Sequence, residues 1–516
     1  MRLQLVVPGA ILTRDEKAPA TYRLDARNSA IQADIEGREN LEISPVNRRY
    51  QYLVIGVVAM GVLMSGVDTT AVVLGLPVMR RDLQSDILSM VWVIMSYLLV
   101  ITILGTQVGK LGDIFGRVRM YNLGFGIFTL GSFFCGFSAS GAQLIDFRIL
   151  QGVGGALITS NSGAIIADSF AENERGKAFG FVGVGWSAGA IVGILIGGAL
   201  VTFLNWRYIF FINIPIGIFA TVTGYLKLRE RSPRLRSALD WVGMLLLGVG
   251  LCFLLIFLTN VTGSGWSPSF ALELLVAVLL LVGLAIWERF PSSPMLDLSL
   301  LRQRVLTASV LAAFFQNLAS FAVIFLVIMY LQGPRGLSPW NASLLLIPGY
   351  LMGALVSPFA GRLSDRLGAR VVASGGLMLQ VVGLLVYSTL LINSPFYFVI
   401  IGSVVNGAAS NLFFPANNSA VMANAPKRAY GMASGLLRTF SNIGMVSSFA
   451  VALLVASLSI PRQMAFAIFL GVGQIAGNLS LAFIDGMHSA LLASISLLFV
   501  AIILSILRGK ETRGKF

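Results

Sequence analysis

The sequence predicts an all-α polytopic membrane protein, and three observations carry that prediction. Of 516 residues, 56% are hydrophobic and only 12% are charged, whereas soluble domains run nearer a quarter charged. A chain of this length would make three or more soluble domains, and it has too few charges to coat them. Mean hydropathy is +0.83, and the 55 glycines agree with it, because glycine is commoner in membrane helices than in soluble ones. Finally, the apolar residues fall in runs near the 20 or so that one crossing needs.

Taken in order, residues 1–50 hold one short apolar patch, Leu5 to Leu12, broken by Pro8 and Gly9 and followed at once by Arg14, Asp15, Glu16 and Lys17. That is too short for a cleaved signal peptide, so a flexible cytoplasmic tail is expected. Apolar runs follow at 52–78, 87–108, 119–138, 142–167, 178–201, 206–227, 239–260, 270–288, 305–332, 342–360, 371–392, 396–422, 430–457 and 487–507, fourteen in all. The stretch 458–486 carries Pro461, Arg462, Gln463, Gln474 and Asn478 and is expected as an outer loop or hairpin.

The charge map orients these spans. With the N-terminus inside, 30 of the 37 basic residues fall on inner segments, and five fall outside: Arg80, Arg81, Arg207, Arg335 and Arg462. Inner loops of membrane proteins collect Lys and Arg, so both termini are expected in the cytoplasm. The same bias explains a net charge of +14 without a nucleic-acid partner. Cys135 and Cys252 lie in apolar runs, and His488 is the sole histidine, so neither a disulfide framework nor a metal site is expected. The sequence contains no phosphate-binding G-x-x-x-x-G-K-[S/T] loop and no H-E-x-x-H, so ATP drive, enzyme chemistry and a cofactor are not expected.

One stretch repeats. Gly109-Lys110-Leu111-Gly112-Asp113-Ile114-Phe115-Gly116-Arg117 follows span 2, and Gly361-Arg362-Leu363-Ser364-Asp365-Arg366-Leu367-Gly368 follows span 10. Two halves on one plan fit a transporter built from parallel repeats. Spans 1–6 then pair with 9–14, giving bundles at 51–228 and 305–507. Residues 229–304 form a linker with two extra spans, and 508–516 form an inner tail. Other motifs sit inside spans: Arg148-Ile149-Leu150-Gln151-Gly152-Val153-Gly154-Gly155-Ala156 in span 4, and Asp68-Thr69-Thr70 running to Leu76-Pro77 in span 1. Gly185, Gly189, Gly193 and Gly197 recur every fourth residue in span 5, a smooth face on which another helix can pack. Trp206-Arg207, Phe210, Asn213, Pro215 and Gly217 open span 6.

In these motifs the chain resembles the major facilitator superfamily, in its 14-span drug:proton antiporter branch, over nearly all of residues 51–507. The resemblance implies the major facilitator fold: two six-helix bundles about a central cavity, with two inserted helices, working by alternating access in the plasma membrane. It implies a small-molecule substrate and protons as partners beside the lipid bilayer, with a monomer expected. The glycine-bounded loops (Gly109, Asp113, Gly116, Arg117; Gly361, Asp365, Gly368) would latch helices in one state, or are plain charged turns. Arg148 matches the family's R-x-x-Q-G-x-G arginine linked to proton coupling; the other reading has it snorkel to the outer headgroups.

Asp68 is the one acid well within a predicted span. Burial penalises its charge, so it is a candidate to take and release protons; otherwise Thr69, Thr70 or Arg148 fixes it for packing alone. Val73 and Gly75 stand where the branch has Asn and Ala, and Ile194 stands where the antiporter motif has proline, which leaves antiport and symport both open. Arg438 in span 13 is a further candidate for coupling, three residues before the family's usual position at Ser441, or it snorkels. Gln316, Asn317, Asn406 and Asn411 are candidates to line the cavity, with Ser410, Phe413 and Phe414 nearby. Glu273 is expected at a solvated edge, and Asp485 with His488 as a surface pair. The function expected is proton-coupled export of amphipathic or cationic drug-like compounds; a carrier of one metabolite and a receptor that has lost transport are the alternatives.

Overall fold

The computed structural model describes residues 47–85, 87–170, 172–231, 238–264, 266–291, 294–425, 430–460 and 478–509. The expected tail up to residue 46 and the core of the expected outer loop, 461–477, lie outside the described residues. Tyr52–Phe516 forms one compact unit.

Among the described residues the chain is helical throughout, as a bilayer core demands of a backbone that must satisfy its own hydrogen bonds. The first half contains α1 (Arg48–Leu83), α2 (Ile87–Phe115), α3 (Arg117–Gly136), α4 (Gly141–Ser169), α5 (Glu172–Phe203) and α6 (Tyr208–Lys227, turned once at Ile212). Next come α7 (Trp241–Ser264) and α8 (Pro268–Trp287). The second half contains α9 (Arg304–Gln332), α10 (Pro339–Leu367), α11 (Ala369–Ser388), α12 (Tyr397–Asn424), α13 (Tyr430–Leu458) and α14 (Asn478–Leu507). Thirteen of the fourteen are apolar and long enough to cross a membrane; α3, with Arg117, Arg119 and Asn122 near its start, is the exception by composition.

Several helices outrun the apolar stretches. α1 reaches Leu83, α2 Phe115 and α10 Leu367, and α14 already begins at Asn478, inside the expected loop 458–486. Hydropathy marks where a helix leaves the hydrocarbon, and its backbone bonds continue past that point. One expectation is thereby corrected. Gly109–Phe115 and Gly361–Leu367 are helix rather than loop, and each reversal is made at a single residue, Gly116 (φ 108°) and Gly368 (φ 91°). Both lie in the left-handed region that favours glycine.

The packing of the two halves repeats. α3 packs on α4 and α6 as α11 packs on α12 and α14, and α2 packs on α4 as α10 packs on α12. Between the halves, α5 meets α10 and α2 meets α13, and exchanging the halves turns one contact into the other. The inserted helix α7 touches α2 and α13, on the seam between halves, while α8 packs on α7 and buries little besides Ala277 and Leu284.

α1 and α5 are drawn together by glycine. A Cβ on Gly185, Gly189, Gly193 or Gly197 would run into Ala59, Leu63, Val67 or Ala71 respectively, four positions one turn apart on α1. In lipid, where apolar burial between helices drives little, such close backbone approach supplies much of the association through van der Waals contact.

Candidate functional site

Asp68 lies midway along α1 with no exposed surface, and Arg148 on α4 is 1% exposed. Arg148 Nη1 meets Asp68 Oδ2 at 2.6 Å and also donates to Gln151 Oε1 at 2.6 Å. Gln151 sits three residues after Arg148, on the same face of α4. Its amide closes the ring, donating to Asp68 Oδ1 at 2.9 Å and to Ser132 Oγ of α3 at 2.7 Å. Arg148 Nε donates to the Val93 carbonyl at 3.0 Å, and the Tyr97 ring lies 4.2 Å from the guanidinium carbon, so α2 supplies a carbonyl and a π-face.

Arg148 is therefore turned inward and bonded on three sides, not snorkelling. The hydroxyls of Thr69 and Thr70 donate to the carbonyls of Ser65 and Gly66, at 2.8 Å and 3.0 Å. The partners of Asp68 are thus Arg148 and Gln151. The glycines that follow Arg148 make this ring possible. Gly152 and Gly155 lie against Val100 and Tyr97 of α2. From α3, Gly131 presses on Gln151, where an added Cβ would lie 2.7 Å from its Cα.

Beside this ring a cavity of about 120 Å³ lies between the halves. α1, α5, α9 and α10 line it, among others with Thr69, Thr70, Trp186, Phe321, Ile328 and Tyr350, and with no charged side chain. Asp68 and Thr69 are consecutive, so α1 presents the ion pair to its own bundle and the cavity to the seam. None of Gln316, Asn317, Asn406 and Asn411 lines this cavity. Gln316 donates to Gln380 at 3.2 Å, and the three asparagines donate to carbonyls one turn back on their own helices.

At the ends of the bundle the halves touch. Trp340 N donates to Thr202 Oγ1 at 3.0 Å and Gln332 Nε2 to the Leu74 carbonyl at 3.2 Å. Toward the opposite end, Arg438 Nη1 of α13 donates to the Thr159 carbonyl of α4 at 2.9 Å. The α2–α3 turn is tied within its own half: Arg117 Nε bonds Asp113 at 2.8 Å, and Arg117 Nη1 meets Asp168, at the end of α4, at 2.6 Å. Glu230 Oε1 accepts from Arg119 N at 2.8 Å and covers Gly116. Gly361 faces open space, and the Asp365 side chain lies outside the described residues.

Sequence reasoning missed Gln151 as a partner of Asp68, and it missed Asp168 and Glu230. Glu273 is not simply solvated, since Asn260 of α7 donates to it at 2.9 Å. His488 does not turn to Asp485: its Nε2 lies 2.9 Å from the Leu390 carbonyl, and Asp485 is exposed. At the start of α6, Trp206 Nε1 donates to Asp82 Oδ2 at 2.8 Å, and Arg207 pairs with the same carboxylate, which fixes α6 to the end of α1.

Comparison with known proteins agrees with this architecture. The Major Facilitator Superfamily profile matches residues 58–353 and 309–508. The chain is 31% identical to the riboflavin transporter RibZ of Clostridioides difficile over 396 residues, 77% of this chain and 86% of the relative. It is 31% identical to the multidrug resistance protein Stp of Mycobacterium tuberculosis, covering 78% and 75%. It is 29% identical to the methylenomycin A resistance protein of Bacillus subtilis, covering 79% and 88%. In fold it matches an inward-facing bacterial homologue of the human lysosomal transporter Spinster, with a TM-score of 0.65, 17% identity and coverage of 90% and 97%. The helices, the repeated packing and these relatives agree: the chain is a multi-pass membrane transporter of small molecules and not an enzyme, and it belongs to the major facilitator superfamily, in the drug:proton antiporter-like branch.

Proposed function

We propose that this transporter is driven by protons and exports amphipathic, drug-like compounds, from a plasma membrane with both chain ends in the cytoplasm. The observation that carries the reading is the buried pair Asp68–Arg148 on the helix that also walls the central cavity. Protonating Asp68 cancels one charge of the pair, while Arg148 keeps Gln151, the Val93 carbonyl and the Tyr97 face. The proton thus changes how α1 is held against α4, and α1, with α5 packed on it, can then shift against α9 at the cavity. An intramembrane ion pair is costly and marks function by default. The inner bias of 30 basic residues supports the orientation, and the names of the relatives from Mycobacterium tuberculosis and Bacillus subtilis support export.

The cavity sharpens the substrate class. It offers two threonines and the rings of Trp186, Phe321 and Tyr350, with no carboxylate to neutralise a cation, and Asp68 is spent on Arg148. Its lining suits flat, uncharged aromatic groups better than cations. A carrier of a single aromatic metabolite is the second reading, favoured by the riboflavin transporter relative and by Ile194 in place of the motif proline. Purified protein in liposomes, given an imposed proton gradient and a panel of neutral aromatic, cationic and flavin compounds, tests both. Gradient-driven movement of several unrelated aromatic compounds supports the exporter. Movement of one compound alone supports the carrier, and no proton-linked movement of any compound ends both.

A further inference from the structure

The inserted pair α7–α8 has no counterpart in the repeated halves, and the chemistry at its base belongs to neither bundle. Asp240, just before α7, and Glu288, just after α8, are 6% and 5% exposed. They face one another across Gly243: a Cβ there would lie 2.6 Å from Asp240 Oδ2 and 3.1 Å from Glu288 Oε1. Asp240 Oδ1 accepts from Trp287 Nε1 at 2.9 Å and from Gly243 N at 2.8 Å. Glu288 Oε2 accepts from Leu296 N at 3.1 Å, whereas Glu288 Oε1, aimed at this space, has no hydrogen-bond partner. A buried acceptor left alone beside a second carboxylate is costly, and a proton on Glu288 relieves both the vacancy and the repulsion.

The same cluster fastens the insert to the first bundle. Asp240 N donates to Gln107 Oε1 of α2 at 3.3 Å, and Lys110 Nζ of α2 donates to the Pro294 carbonyl at 3.0 Å. α7 also leans on α13, so the dock lies where the two halves meet. The charged groups facing Glu288 are Asp240 from the start of α7 and Lys110 from α2. On its own connection Arg289 is exposed and Asp297 caps Ser299.

We propose that Glu288 and Asp240 form a proton-binding carboxyl pair, separate from Asp68–Arg148, and that the proton it holds sets how firmly the inserted helices dock on α2 at the seam between halves. Burial first, and then the Asp240 charge, push Glu288 up to about 7, against the opposing hold of the Leu296 and Met295 amides and Lys110. The sign follows from linkage. The folded protein holds this proton at a pH where the unfolded chain has released it, so the stability it gives is present in acid and drains away as pH rises to 7. On the side that the basic loops assign to the cytoplasm, acidification would tighten the dock.

The test needs no substrate, so it stands or fails apart from the proposed export. The full chain in lipid nanodiscs is titrated from pH 5 to pH 9, following the infrared carboxyl band and the melting temperature. The expected result is a buried carboxyl titrating near 7 that is missing in Glu288→Gln, with a midpoint about one pH unit lower in Asp240→Asn, where the neighbouring charge is gone. The melting temperature of the wild type falls between pH 5 and pH 7 and levels off above, and that of Glu288→Gln stays flat. If Glu288→Gln fails to fold, the Asp240→Asn midpoint alone decides. A carboxyl titration unchanged in Glu288→Gln, an unmoved midpoint in Asp240→Asn, or a melting slope retained without Glu288 overturns the proposal.

Discussion

Two charges stand buried in the first bundle because each is the other's partner. Asp68 and Arg148 have at most 1% of their surface exposed; Gln151 donates to Asp68 and accepts from Arg148, and the Val93 carbonyl accepts from Arg148. Breaking such a pair strands a charge, which costs about 3–5 kcal/mol, whereas removing both charges is often close to neutral. Asp68→Asn is therefore expected to lower thermal stability strongly, and adding Arg148→Met in that background to recover most of the loss, while proton-linked transport stays absent in both. Melting temperatures with flux in the same liposomes check this. Full transport by the double variant would show that the pair serves packing only.

At the scale of elements, the repeat in the sequence and its geometry part company in an instructive way. The pattern G-x-L-x-D-x-x-G is legible by eye, but only its second glycine turns the chain. Gly116 adopts φ 108° with Glu230 against it, whereas Gly109 is helical and faces open space. Gly116→Ala is accordingly expected to cost about 1–3 kcal/mol, and Gly109→Ala to gain about 0.5–1 kcal/mol as a better helix former, both read from melting temperature. Equal effects at the two positions would refute the single-residue turn. Along α5, Gly189→Leu would drive a side chain into the Leu63 backbone and is expected to prevent assembly of α1 with α5, seen as loss of monodisperse protein on extraction.

How much was legible follows the same division. Fourteen helices and two halves could be read from apolar periodicity and one repeat, because lipid imposes helix on every crossing. The motifs at Asp68 and Arg148 were also visible, but Gln151 as the third partner was not, since its role depends on α3 and α4 closing at Gly131. The polar residues of the second half could not be assigned a role from sequence for a related reason. An asparagine in a helix can satisfy itself on the carbonyl one turn back, as Asn317, Asn406 and Asn411 do, and residue type does not reveal that choice. Asp240 and Glu288 stand 48 positions apart in sequence, and only the α7–α8 hairpin brings them together.

For the whole molecule, the halves exchange their contacts across one seam, α5 with α10 and α2 with α13, around a cavity without charge. Alternating access needs those contacts to open at one end while they hold at the other. The Arg438 bond to Thr159 is an asymmetric tie across that seam, and Arg438→Gln is expected to shift the balance between states, read as a changed distance between spin labels on α4 and α13 with the fold intact. An unchanged distance distribution would remove Arg438 from the gate.

Under the proposed function, protonation at Asp68 links proton movement to passage through the neighbouring cavity. Its most direct measurement is substrate-driven proton flux in liposomes, followed with an internal pH dye, for wild type and for Asp68→Asn. Proton movement is expected in the wild type on adding an aromatic substrate, with none in Asp68→Asn even where substrate binding persists. Substrate-driven proton flux at the wild-type rate in Asp68→Asn would contradict it.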